Sequence, residues 1–129
     1  MVEDLGDVLE LCVLVADTAA ERAEGLMDAP DAELGGYDGM AFSWTEDVAG
    51  GFWMKDTEVP LSIAYVDAAG AVVSTTDMDP CPPGTERCPS YPPAGPYRLA
   101  VEVPQGALPE VGIGPGSSVR LDRRACPAP

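Results

Sequence analysis

The chain contains no histidine, and a single lysine, Lys55, accompanies six arginines. Without histidine the commonest general base is missing, and Ser-His-Asp and Cys-His catalysis are excluded with it. No run of about 18 apolar residues occurs, so no helical membrane span is expected. The chain has no nucleophile elbow, Walker loop or dinucleotide-binding fingerprint. Gly112, Gly114 and Gly116 imitate a phosphate loop only superficially, and "GIGPGSS" reads as a turn. Positive charge is scarce: seven basic against 22 acidic residues give a net charge of −15. That charge repels phosphate backbones and anionic lipid surfaces over a Debye length of about 8–10 Å, which disfavours nucleic acid and polybasic membrane contact.

What is present is enough for one domain. At 129 residues and 46% hydrophobic content the chain can bury a single core, and a monomer is expected. The opening "MVEDLGDVLE" lacks the charged and apolar regions of a signal peptide, yet the four cysteines favour an oxidising compartment. Cys81 and Cys88 enclose a Pro/Gly-rich loop, while Cys12 and Cys126 stand near the two ends. Four cysteines allow three connectivities, and this arrangement favours Cys81–Cys88 with Cys12–Cys126. Zinc is disfavoured, because histidine is absent and the six-residue gap between Cys81 and Cys88 exceeds the spacing of zinc knuckles. The expectation is an extracytoplasmic protein, secreted or anchored, whose leader has been removed.

Patterning gives a mostly β chain of α+β type. "LELCVLVAD" (9–17) reads as a strand, and Thr18 with Glu21 as a capping box opening a short helix that Gly25 ends. "GMAFSW" (39–44) is a strand and "TEDVAGG" a loop. "FWMKDT" and "LSIAYVD" are strands separated at Pro60, and "DAAG" turns the latter into "AVVSTTDM" as a hairpin. Residues 79–96 hold seven prolines and predict no regular element. "YRLAVEVP" alternates, with Tyr97, Leu99, Val101 and Val103 expected on one face. A short helix or turn then leads to a last strand at Ser118–Leu121. The expected architecture is a small single-domain barrel or sandwich-like β fold with one or two short helices. Its tails are 1–8 and 123–129, the second tied by a disulfide, around a domain at 9–122.

"ERAEGLMDAP", "GMAFSW", "FWMKDTEVPLSIAYVD" and "YRLAVEVPQGALPEVGIGPGSSVRL" together resemble the domain of unknown function 192 family. That family's pattern runs Arg-x-x-Gly-Leu-Met, Gly-Met-x-Phe, Phe-Trp-Met-Lys-Asn-Thr, Pro-Leu-Asp-Ile and Gly-Asp-x-Val. The resemblance implies a small β-rich domain, often exported in bacteria, with no established activity. This chain departs from the pattern at Asp56 (usually Asn), Ser62 (usually Asp) and Ser118 (commonly Asp), and the pair Cys81 and Cys88 is an addition.

The concentration of functional groups lies in "FWMKDT". On a strand, Trp53, Lys55 and Thr57 would share one face, offering an aromatic plane, an ammonium and a hydroxyl to a small polar or anionic ligand. Arg22 would add a second cation and Tyr91, in the Pro-rich loop, a border. The competing reading packs Trp53 against the helix and pairs Lys55 with surface acids. Met27, Met40, Met54 and Met78 suit core packing better than copper, and "DAPDAE" and "TTDMDP" lack calcium-loop spacing; no metal or cofactor is expected. The leading expectation is a non-catalytic binding or accessory domain. One alternative is a hydrolase on a polar or glycan-like substrate, with Asp56 or Glu58 as acid or base and Lys55 orienting the substrate. Another is a protein-interaction module using a sheet edge.

Overall fold

A computed structural model describes residues 2–4, 9–25, 37–122 and 126. The predicted first strand divides at Cys12 into β2 (Leu9–Leu11) and β3 (Val13–Ala16). The break has a local cause. The Cys12 N–H donates to Asp38 Oδ2 at 2.7 Å, and the Asp38 N–H returns a bond to the Cys12 carbonyl at 2.8 Å. Held crosswise at that point, the chain passes from one sheet to another. β2 joins a three-stranded sheet in the order β10-β1-β2, in which β1 is Val2–Asp4 and β10 is Val119–Leu121. The sheet thus begins inside the segment read as an N-terminal tail.

Helix α1 (Ala19–Glu24) starts where the capping box predicts. Thr18 Oγ1 accepts from the Glu21 N–H at 3.2 Å, and Glu21 Oε1 accepts from the Thr18 N–H at 3.1 Å. Gly25, at φ 51°, ends it, and a β-carbon there would stand 3.3 Å from the Phe42 ring. The helix therefore lies close over β4 (Gly39–Val48). β3 and β4 are parallel, a pairing that needs a crossover connection, and α1 lies within it.

The main sheet has five strands in the order β3-β4-β9-β6-β7, with β6 at Leu61–Val66, β7 at Val72–Met78 and β9 at Tyr97–Pro104. It is open: β3 and β7 are edges and do not close on each other, so the barrel alternative does not hold. The sheet is instead packed on both faces. Phe42, Met54, Leu61, Ile63, Tyr65 and Met78 belong to one cluster, and Ala41, Ala64, Val66, Val101, Val103 and Ile113 to the other. All six residues of β6 are buried, as expected of a strand with apolar groups on both sides.

Four local expectations change. β4 continues through "TEDV" to Val48 instead of yielding to a loop, with an irregular register against β9 between Ser43 and Val48. That irregularity turns Tyr97 into the cluster of Phe42, while Leu99, Val101 and Val103 stay in the other. The Pro-rich segment supplies a two-residue strand, β8 (Ser90–Tyr91), which pairs with β5 (Phe52–Trp53). "FWMKDT" is thus a strand only at its start. The predicted hairpin at "DAAG" does form: Asp67 Oδ1 accepts from the Ala69 and Ala71 N–H groups, each at 2.9 Å. Both expected disulfides, Cys12–Cys126 and Cys81–Cys88, are present. Among the described residues no helix is long and apolar enough to cross a membrane.

Candidate functional site

Between α1 and the face of the sheet that carries Phe42 lies a cavity of about 420 Å³. Its walls are mainly aromatic and aliphatic, with Phe42, Trp44, Phe52, Trp53, Met54 and Tyr97 prominent. The rings fix one another. Phe42 and Phe52 meet edge to face at 4.9 Å, and Trp44 and Tyr97 at 5.2 Å. The Tyr97 hydroxyl donates to the Gly50 carbonyl at 2.6 Å, and burial pushes its pKa up to about 12. The neighbouring Tyr65 hydroxyl donates to the Tyr91 carbonyl, and its pKa is raised, chiefly by burial.

Few polar side chains reach this cavity. Arg22 comes from α1: its Nη1 donates to the carbonyls of Asp17 at 2.8 Å and Ser43 at 2.9 Å, and its guanidinium lies 5.3 Å from the centre of the Trp44 ring. Thr57, 4% exposed, donates its hydroxyl hydrogen to the Lys55 carbonyl at 3.2 Å. Glu24 also lines the cavity, from the exposed side of the helix.

The remaining group is Glu102, in the middle of the central strand. It pairs across the ladder with Met40 and Ile63 and shares their face. It is 3% exposed, lines the cavity, and has no hydrogen-bond or ion-pair partner among the described residues. Burial raises its pKa from 4.5 to about 8, because the apolar surroundings penalise the carboxylate. The shift favours the protonated form, in which the group is an O–H donor at the cavity wall. Sequence reading passed over Glu102, since a charge in an alternating strand reads as a solvent-facing position. The available signal was Ala100 beside it, which leaves that face of β9 less polar than a wet face.

The structure gathers only part of the sequence-predicted set. Arg22, Trp53 and Thr57 line the cavity. Lys55 does not; it is exposed, with Nζ 5.3 Å from the centre of the Trp53 ring. The shared face of Trp53, Lys55 and Thr57 does not exist, because the chain turns at Asp56. The Thr57 N–H donates to the Met54 carbonyl at 2.9 Å, and Asp56 takes a left-handed φ of 56°. Thr57 is thereby turned inward while Trp53 stays 52% exposed. Tyr91 is also absent from the lining: its carbonyl accepts from Tyr65, and its hydroxyl accepts from the Asp79 N–H at 3.2 Å, so it pins the Pro-rich segment to the core. Asp56 and Glu58 are outside the lining as well. Met40, Met54 and Met78 pack in the core, and Met27 lies outside the described residues. Among the described residues no three His, Cys, Asp or Glu side chains gather to hold a metal.

A mixed, open sheet under one short helix, with a buried carboxyl from the central strand at the wall of a cavity, defines a small β-rich domain with a built pocket. The chain belongs to the DUF192 family, described as "Uncharacterized ACR", which matches residues 2–121. A solved structure from Novosphingobium aromaticivorans, of a protein of unknown function, is 30% identical with a TM-score of 0.68, over 83% of this chain and 72% of that one. A protein from Sinorhizobium meliloti, described as a candidate transcription regulator, shares the fold with a TM-score of 0.72. It is 22% identical over 92% of this chain and 90% of that one. No curated protein matches the chain.

Proposed function

We propose that this is an extracytoplasmic binding or accessory domain that holds a small molecule in the cavity beneath α1. The observation that carries the reading is Glu102, a carboxyl placed in the apolar core yet opening onto a cavity. An unpartnered ionisable group in such a place costs stability, and a ligand hydrogen-bonded to it would offset that cost. The two disulfides support an oxidising compartment. The charge of −15 gives no support to DNA binding.

The other readings have less support. A hydrolase built on Asp56, Glu58 and Lys55 draws no support from this cavity, since none of the three lines it. Docking along a sheet edge is hindered at β7, where Val72 donates to the Ser117 carbonyl at 3.4 Å and Ser74 Oγ accepts from the Ala94 N–H at 3.0 Å.

The test is a thermal-shift and ligand-detected NMR screen of small metabolites against the oxidised protein and against Ala23→Trp. Ala23 is an exposed helix residue on the cavity wall, so the indole blocks the space without entering the core. Compounds that stabilise the wild type and leave the blocked variant unmoved support the reading. A screen in which no compound distinguishes the two proteins overturns it.

A further inference from the structure

The hydrogen-bonding capacity left over in the cavity narrows the chemistry of its occupant. Arg22 spends Nη1 on two backbone carbonyls. Its Nε and Nη2 have no partner among the described residues, although the side chain is half-buried. That edge of a guanidinium is a rigid two-pronged donor, and its matching acceptor is a carboxylate. Thr57 has already donated its hydroxyl hydrogen to Lys55, so toward the cavity it offers only lone pairs. Glu102, buried at the cavity wall with no partner among the described residues, is shifted toward its protonated form and then offers an O–H to an acceptor. Both groups line the one cavity, Arg22 from the helix and Glu102 from the central strand, together with the aromatic rings.

We infer that the cavity takes a small organic monocarboxylate with a compact apolar body. Its carboxylate lies on the Nε–Nη2 edge of Arg22, its body among Trp44, Phe52 and Trp53, and a hydroxyl or carbonyl at its other end on Glu102 and Thr57. This inference rests on the binding reading above and adds the ligand class.

Alternatives fit less well. A neutral ligand leaves the Arg22 edge desolvated without an anion, which is costly for a charged donor. A phosphate or dicarboxylate brings two charges to one guanidinium, beside Glu24 and within a strongly acidic chain. A sugar lacks the apolar body that the walls require, and about 420 Å³ lies toward the small end of ligand pockets. Lys55, held over the outer wall at Trp53, adds positive potential there, where the global charge of −15 would otherwise repel an anion.

The experiment is calorimetric and ¹⁵N NMR titration of the oxidised protein at pH 7 with benzoate, 4-hydroxybenzoate and cyclohexanecarboxylate, each beside its primary amide. The expected result is binding of the acids at least about tenfold tighter than their amides, the loss expected when a charge-assisted pair is removed. Arg22→Gln should remove that preference, and Glu102→Leu should remove the advantage of 4-hydroxybenzoate over benzoate. Amides that bind as tightly as acids overturn the inference, as does an unchanged acid affinity in a folded Arg22→Gln protein. If that variant does not fold, the acid-amide comparison on the wild type decides alone. Failure of every acid, alongside compounds that still separate wild type from Ala23→Trp, overturns the ligand class and leaves the binding reading standing.

Discussion

Gly39 touches the backbone of Glu102 so closely that a β-carbon on it would stand 2.1 Å from the Glu102 carbonyl oxygen. Only a hydrogen fits there, and the contact sets the position of β9 at the residue that carries the cavity carboxyl. Because the obstacle is main chain, no rotamer relieves it. Gly39→Ala is expected to cost about 3 kcal/mol, at the upper end of overpacking effects, in urea unfolding. A loss below about 1 kcal/mol would mean that the two strands can separate at this point.

Glu102 makes stability depend on pH. Its folded pKa, raised to about 8 from 4.5, means that the native state binds more protons than the unfolded chain between those values. Stability from this group is therefore present below about pH 4.5 and is lost as pH rises through about 8. Glu102→Gln removes the titration. The variant should unfold close to the wild type at pH 4.5 and be the more stable by a few kcal/mol at pH 9, since each pH unit separating the folded and unfolded pKa is worth about 1.4 kcal/mol. Parallel pH profiles of the two proteins would contradict the assignment.

The capping box positions Arg22 as well as starting α1. Thr18→Ala should lower stability by about 1 kcal/mol and weaken whatever binds beneath the helix. Thr18→Asp, which restores the side-chain acceptor, should recover both. The check is a melt and a titration on the same three proteins.

At Asp56, with φ 56°, a residue that tolerates left-handed backbone is required. Asp56→Gly should be neutral or stabilising by up to about 1 kcal/mol, and Asp56→Val should cost about 1–3 kcal/mol. Asp56→Asn should change stability little. Denaturant midpoints that order these variants otherwise would show that the turn is not held as described.

Removing the small disulfide, with Cys81→Ala and Cys88→Ala together, should cost about 2.5 kcal/mol by the loop-entropy model. Cys81 is 3% exposed and its N–H donates to the Thr57 carbonyl at 2.9 Å. Amide exchange at residue 81 and at Thr57, whose N–H groups donate to the Thr57 and Met54 carbonyls, should accelerate before that of β6. Uniform acceleration would mean that the bridge acts on the whole domain.

What could be read from the sequence was local. Thr18, Glu21 and Gly25 lie close together along the chain, so their geometry follows from spacing alone, and the Asp67 turn likewise carries its own hydrogen bonds. The cysteine pairing was legible because one pair spans a short loop and the other flanks the domain. The site was legible only in part. Of the candidate residues Arg22, Trp53 and Thr57 line the cavity, but strict alternation placed Lys55 with them, and a single left-handed residue, Asp56, undid that alternation. Glu102 was hidden because its burial depends on partners 62 and 39 residues away, Met40 and Ile63, and on a helix laid over that face. Tyr97 was misassigned for a similar reason: the irregular stretch of β4 that turns it lies in a segment with loop-like composition.

The Cys12–Cys126 bridge has a mechanical consequence. Tension applied beyond these two residues passes from one sulfur to the other, and the 114-residue span between them carries almost none of it. Pulling would strip β1 and β2, then stop at a covalent bond, with the main sheet and the cavity still intact. A domain strung between a surface and a moving partner would keep its pocket under load, and reduction of that one bond would hand the load to the sheet.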